Sequence, residues 1–137
     1  MPRCVLNLPR RWQFAGLLLA GLCSVSTLCL AQERVQRPFP AQALRGTLKV
    51  VDAPDVLLNG SVARLAPGAR IRGTNNLLVM SAAIAGQALG VHYTRDFDGL
   101  IKDVWILRAD EAARFWPRSA TEAATYTFDP AGQTWTR

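Results

Sequence analysis

Cysteine is absent from the chain after Cys29, histidine occurs once, at His92, and no long apolar run follows Leu30. Each scarcity removes a class of chemistry. Soft-metal centres need several converging thiolates or imidazoles, which one histidine cannot supply. No thiol nucleophile stands in the later chain, and no G-x-S-x-G elbow offers a serine for His92 to activate. Glycine-rich phosphate loops are missing too, because Gly60, Gly68, Gly73, Gly86 and Gly99 stand singly, as turn punctuation. No cofactor is expected.

What is present begins with a leader. Residues 1–12 carry Arg3, Arg10 and Arg11 and no acid, and an apolar run of about 17 residues from Phe14 to Leu30 follows. Cys29-Leu30-Ala31 gives the small-x-small ending of a secretory signal peptide, so cleavage is expected after Ala31 and the protein is expected in the periplasm or secreted. Kept uncleaved, the same run would be a membrane anchor, and that is the one membrane association the sequence offers. Leu22 before Cys23 and Leu28 before Cys29 spoil a lipobox, while Arg10-Arg11 leaves Sec and twin-arginine export both open. All three cysteines fall within the leader, so the remaining chain must hold its fold by packing alone. It carries 13 bases against 10 acids, a balance of +3, which is too modest for a dedicated nucleic-acid binder.

Residues 32–42 show no apolar period, and Arg37-Pro38-Phe39-Pro40 reads as an extended linker or loose arm. From residue 43 the pattern changes. Leu44, Gly46, Leu48 and Val50 alternate with Arg45, Thr47, Lys49 and Val51, the period of a half-buried strand. Asn59-Gly60 predicts a type I′ hairpin between residues 56–58 and 61–65, and its match to a glycosylation sequon is incidental to that turn. Pro67-Gly68 and Asn75-Asn76 predict further turns, and residues 82–85 a helical turn or loop. Residues 88–94 and 100–107 form a second hairpin through Asp96-Phe97-Asp98-Gly99. In 100–107, Leu100, Val104 and Ile106 share one face while Ile101, Trp105 and Leu107 share the other, so another element must shield Trp105. Residues 109–114 read as a helix with acids in its first turn. The segment 117–137 is expected to end in a hairpin around Asp129-Pro130-Ala131-Gly132, with Gly132 in the left-handed position.

Five to six short antiparallel strands and one short C-terminal helix predict an all-β fold, a small OB-like barrel or a compact sandwich, over residues 43–116. The run of Leu44-Arg45-Gly46-Thr47-Leu48, Val56-Leu57-Leu58-Asn59-Gly60, Leu65-Ala66-Pro67-Gly68-Ala69-Arg70-Ile71 and Gly99-Leu100-Ile101 to Trp105-Ile106-Leu107 resembles small exported bacterial proteins of uncharacterised function. The resemblance implies an OB-like β-barrel and carries no catalytic residue with it.

Arg64, Arg70 and Arg72, with Trp105 beside them, are the candidate ligand-binding residues, since strand pairing would gather them on one face suited to an anionic glycan, lipid or oligonucleotide. His92 with a nearby aspartate is the remote hydrolase candidate. Asp96-x-Asp98-Gly99 lacks the rest of a calcium loop, and Asp52 and Asp55 are explained by a proline turn. The expected activity is therefore non-enzymatic binding in the cell envelope. An envelope protein or an anionic polymer is the expected partner, with nucleic acid disfavoured by export.

Overall fold

The computed structural model describes residues 35–137. The expected leader, its cleavage site and the start of the arm lie outside the described residues.

Five strands form the body: β1 (Leu44–Asp52), β2 (Asp55–Leu58), β3 (Ser61–Arg72), β4 (Ala88–Arg95) and β5 (Ile101–Ile106). They pair in the order β1-β2-β3-β5-β4, and β4 returns to β1, with Leu44 opposite Tyr93 and Lys49 opposite Ala88. The sheet therefore closes on itself, and each strand has two neighbours to occupy its backbone groups. The chain is mostly β, as expected, but the strands are not all antiparallel. β3 and β5 run parallel, with Ile71 beside Val104 and Arg72 beside Trp105. Parallel neighbours need a long crossover, and the stretch between these two includes β4 and a single 3-10 turn, Ser81–Ile84.

The alternation read in β1 holds: Leu48 and Val50 point into a core completed by Val56, Leu58, Leu65, Ile71, Val91, Tyr93, Ile101 and Val104. Asn59 and Gly60 both adopt positive φ, at 52° and 80°, as a type I′ turn requires. Two local readings need correction. Pro67-Gly68 does not end a strand but sits inside β3, where the ladder to β5 jumps from Leu65↔Ile101 to Arg70↔Asp103. Strict alternation fails in β5 as well. Thr94 pairs with Asp103 and Arg95 with Ile101, so Lys102 is the bulged residue, and Ile101 and Val104 both reach the core.

A second layer covers the outside of β4 and β5. It contains α1 (Ala109–Ala112), α2 (Ala120–Ala123) and a hairpin of β6 (Thr127–Asp129) with β7 (Thr134–Thr136). Two one-turn helices thus stand where a single helix was expected. Ser119 caps α2 by accepting the Glu122 N–H, while the Glu122 carboxylate accepts the Arg118 N–H. In the final hairpin Gln133, not Gly132, takes the left-handed conformation, at φ 51°. Gly132 serves a different need: a Cβ there would lie 2.7 Å from Asp129 Oδ2, whose carboxylate accepts the N–H groups of Ala131 and Gly132.

The arm is extended but not loose. Arg37 and Phe39 are buried, the Phe39 N–H donates to Gln133 Oε1 at 2.8 Å, and Trp116 Nε1 donates to Ala43 O at 2.7 Å. Phe39, Ala43 and Trp116 form a second apolar cluster, against which Trp105, Leu107, Phe128 and Trp135 pack. The shield that Trp105 required is therefore made by the arm and the C-terminal segment together.

Candidate functional site

Of the predicted binding residues, Arg64, Arg70 and Arg72 all lie on β3, but each meets its own partner. Arg64 stands opposite Asp55 in the register, with Nε 3.7 Å from its carboxylate and both side chains largely exposed. Arg70 Nε donates to Asp103 Oδ1 at 2.8 Å. Arg72 has no carboxylate partner among the described residues and reaches only the carbonyl of Asn76, at 3.4 Å. Two of the three cations are thus already balanced by acids from neighbouring strands, which weakens them as an anion platform. Trp105 is adjacent to Arg72 in the register, yet Phe39 packs edge-on against its ring at 6.0 Å.

His92 is almost fully enclosed, at 1% exposure. Its ring stacks on Trp116 at 4.3 Å and meets the edge of Phe39 at 4.6 Å. Arg45 Nη2 lies 3.3 Å from His92 Nε2; a guanidinium only donates, so Nε2 accepts and the neutral ring carries its proton on Nδ1. Burial, reinforced by the charges of Arg45 and then Arg37, pushes the His92 pKa down to about 3. No carboxylate or hydroxyl bonds to the ring among the described residues. At neutral pH it is a weak base facing cations, packed as a core residue.

Beside His92 runs a buried polar network. Arg37 makes two hydrogen bonds to the Glu111 carboxylate and donates to the carbonyls of Gly73 and Ile106, both at 2.8 Å. Burial alone would raise the Glu111 pKa. The bond from Arg37, the Arg108 N–H and the two guanidinium charges outweigh it and hold the carboxyl below its ordinary value. Arg45 donates to the carbonyls of Glu111, Ala112 and Arg114 and so closes the last turn of α1. Sheet, arm and helix are fastened together here, beside a hollow of about 220 Å³ lined by Arg45, Gly90, Ala112 and Arg118.

Larger hollows lie along β3. A groove of about 540 Å³ runs along β3, between Ala53-Pro54 and residues 78–82, with Leu65, Ala66, Ala69 and Ile71 on its wall. A second hollow of about 480 Å³ continues it, sharing Pro54, Leu65 and Ala66 and adding Arg64, Pro67 and Leu100. The β3 irregularity creates this concavity: three extra residues against β5 make the strand bow, with Gly68 at φ 76°. Leu78 and Met80, among its lining residues, stand at 65% and 80% exposure. The titratable groups lining the two hollows are Arg70 and Arg64, with no carboxylate.

The sequence reading therefore found two residues of this groove, Arg64 and Arg70, and missed its apolar floor. The overlooked signal was Pro67-Gly68 between apolar neighbours, which marks a bulge as readily as a turn. Asp96, suggestive of a calcium ligand, instead accepts the N–H groups of Asp98 and Leu100 and closes its own turn. Comparison with known proteins finds no matching family model, no similar curated protein and no similar solved structure.

Proposed function

We propose that this protein is an exported, non-enzymatic binding module of the cell envelope, built on an OB-like barrel, which holds its partner in the groove along β3. The strand order and the single parallel pair, β3 with β5, support the OB-like reading. In that fold the face formed by strands two and three, together with the loop between strands one and two, is a binding surface. The observation that carries the functional reading is the groove: an apolar concavity on β3, next to Ala53-Pro54, bordered by arginines and flanked by exposed Leu78 and Met80. Apolar surface left open in a fold this small is characteristic of interaction sites.

Export to the periplasm or beyond rests on the leader sequence, and it makes an envelope protein or polymer the available partner. The second reading, electrostatic capture of an anionic glycan, lipid or nucleic acid by Arg64, Arg70 and Arg72, has Arg72 in its favour. Hydrolysis by His92 draws no support from a buried, neutral ring beside cations.

The test is capture from an envelope fraction on immobilised protein, with an Ala82→Trp variant, which fills the groove from an exposed position, as control. A component retained by the native protein across several salt concentrations and lost on the variant is the expected result. No retained component, or equal retention by both proteins, would overturn the proposal.

A further inference from the structure

We infer that the occupant of the β3 groove is a short extended peptide segment of a partner protein, apolar in character and carrying at least one carboxylate. The inference rests on the binding-module reading above and names the partner's chemistry.

Backbone polarity is the first argument. Residues 66–69 of β3 have no register partner on β5, and no loop backbone hydrogen bond reaches them among the described residues. The interval is bounded on the groove side by strand-like bonds: the Leu65 N–H donates to Pro54 O at 2.9 Å, and the Val79 N–H donates to Ile71 O at 2.8 Å. A ligand covering this wall must satisfy the amides and carbonyls it dries, or leave them buried at a cost. An extended peptide brings its own amides and carbonyls, as strand-adding ligands do. An acyl chain brings none. The pairs Leu65↔Ile101 and Ile71↔Val104 set the ends of the interval three β5 steps apart, about 10 Å at about 3.3 Å per step, which matches the central three or four residues of an extended segment.

Charge supplies the second argument. Arg70 gives only its Nε to Asp103, and Arg64 approaches Asp55 through Nε as well, so the charge of each is already balanced while its terminal nitrogens still offer hydrogen-bond donors to a carboxylate seated in the groove. Asp103 and Asp55 stand on the Nε side of these arginines and neither is among the groove's lining residues. Met80, exposed and unbranched, adapts to varied apolar side chains. An oligonucleotide is the poorer fit, because the lining has no aromatic ring on which a base could stack.

The test is a randomised octapeptide library displayed on phage and selected against the protein produced from its full-length gene, with the Ala82→Trp variant as counter-selection. Enriched sequences should combine apolar residues with Asp or Glu and exclude Lys and Arg. A synthetic copy of one should move the amide resonances of Ala66 and of residues 68–71. Its affinity should fall at least tenfold when its backbone is N-methylated, and again in an Arg64→Gln/Arg70→Gln double variant. Enrichment of basic or charge-free peptides, resonance shifts confined elsewhere, or insensitivity to N-methylation would overturn the inference. Binding of dodecanoate at residues 66–71 with no peptide enriched would assign the groove to a lipid instead. If an envelope component is captured through the groove and no peptide is enriched, the peptide assignment fails while the binding module stands. If neither occurs, both fail.

Discussion

The Arg37 guanidinium and the Glu111 carboxylate, 74 residues apart in the chain, meet through two charge-assisted hydrogen bonds with both side chains buried. The pair ties the arm before β1 to the helix after β5, alongside the bonds of Phe39 to Gln133 and of Trp116 to Ala43. Removing Glu111 leaves the buried Arg37 charge with carbonyl partners only, whereas removing Arg37 leaves the Glu111 carboxylate paired with Arg108 at 3.1 Å. Glu111→Gln should cost about 3–5 kcal/mol, read from urea unfolding, and Arg37→Ala less, because Arg108 still faces the carboxylate. An Arg37→Met/Glu111→Leu double variant should lose less than the sum of the two single changes, because the buried Arg37 charge leaves with its partner and Arg108 keeps Asp110. A double loss equal to that sum would mean that the pair does not act as a unit.

His92 makes stability depend on acid. Its folded pKa is pushed down to about 3 from an ordinary 6.5, so between these values the unfolded chain binds a proton that the folded chain refuses. Stability is therefore complete above about pH 6.5 and falls on acidification by at most about 1.4 kcal/mol per pH unit. Glu111 acts in the same direction lower down: its depressed pKa gives stability that is lost as the carboxylate is protonated. Urea midpoints measured from pH 7 to pH 4 should fall steadily for the native protein. In His92→Phe the fall should vanish above about pH 5. An unchanged pH profile in that variant would remove His92 as its source.

The strands and their turns were legible because their signals are local. Asn59-Gly60 needs positive φ twice, Asp96 closes its turn with its own carboxylate, and the double-faced apolar pattern of β5 announced that Trp105 must be covered. Partners were not legible, since a period of two says that a segment is a strand and nothing about which strand lies beside it. Hence the parallel β3–β5 pair was missed, and with it the ion pair of Arg70 with Asp103. The arm was misjudged for a related reason. Two anchors, Arg37 and Phe39, make no period, yet each is held by elements far along the chain. Ser119-x-x-Glu122 was a readable cap that would have announced α2.

Phe39 is the keystone of the outer layer. Its ring lies 4.6 Å from His92, 6.0 Å from Trp105 and 5.7 Å from Trp116, each contact edge-to-face. Phe39→Ala should cost about 3–5 kcal/mol as a large-to-small core change. It should also expose Trp105 and Trp116 to collisional quenchers of tryptophan fluorescence before global unfolding. Unchanged quenching with unchanged stability would show that the arm does not seal this layer.

The three β3 arginines can be ranked by how far their charge is already balanced. In Arg70, more than half exposed, the pair with Asp103 should contribute less than about 1 kcal/mol to stability, and the looser Arg64–Asp55 pair less still. Their effect on polyanions follows from the same balance. A cation already matched by a carboxylate gains little by displacing a counterion, so Arg72 should dominate any binding to an anionic polymer. The slope of log affinity against log salt, measured on heparin, should fall by about 1 when Arg64, Arg70 and Arg72 are all replaced by Ala, and by nearly as much in Arg72→Ala alone. A fall near 3 in the triple variant would mean that polyanions break both ion pairs and recruit all three arginines, and the electrostatic reading of this face would then displace the apolar one.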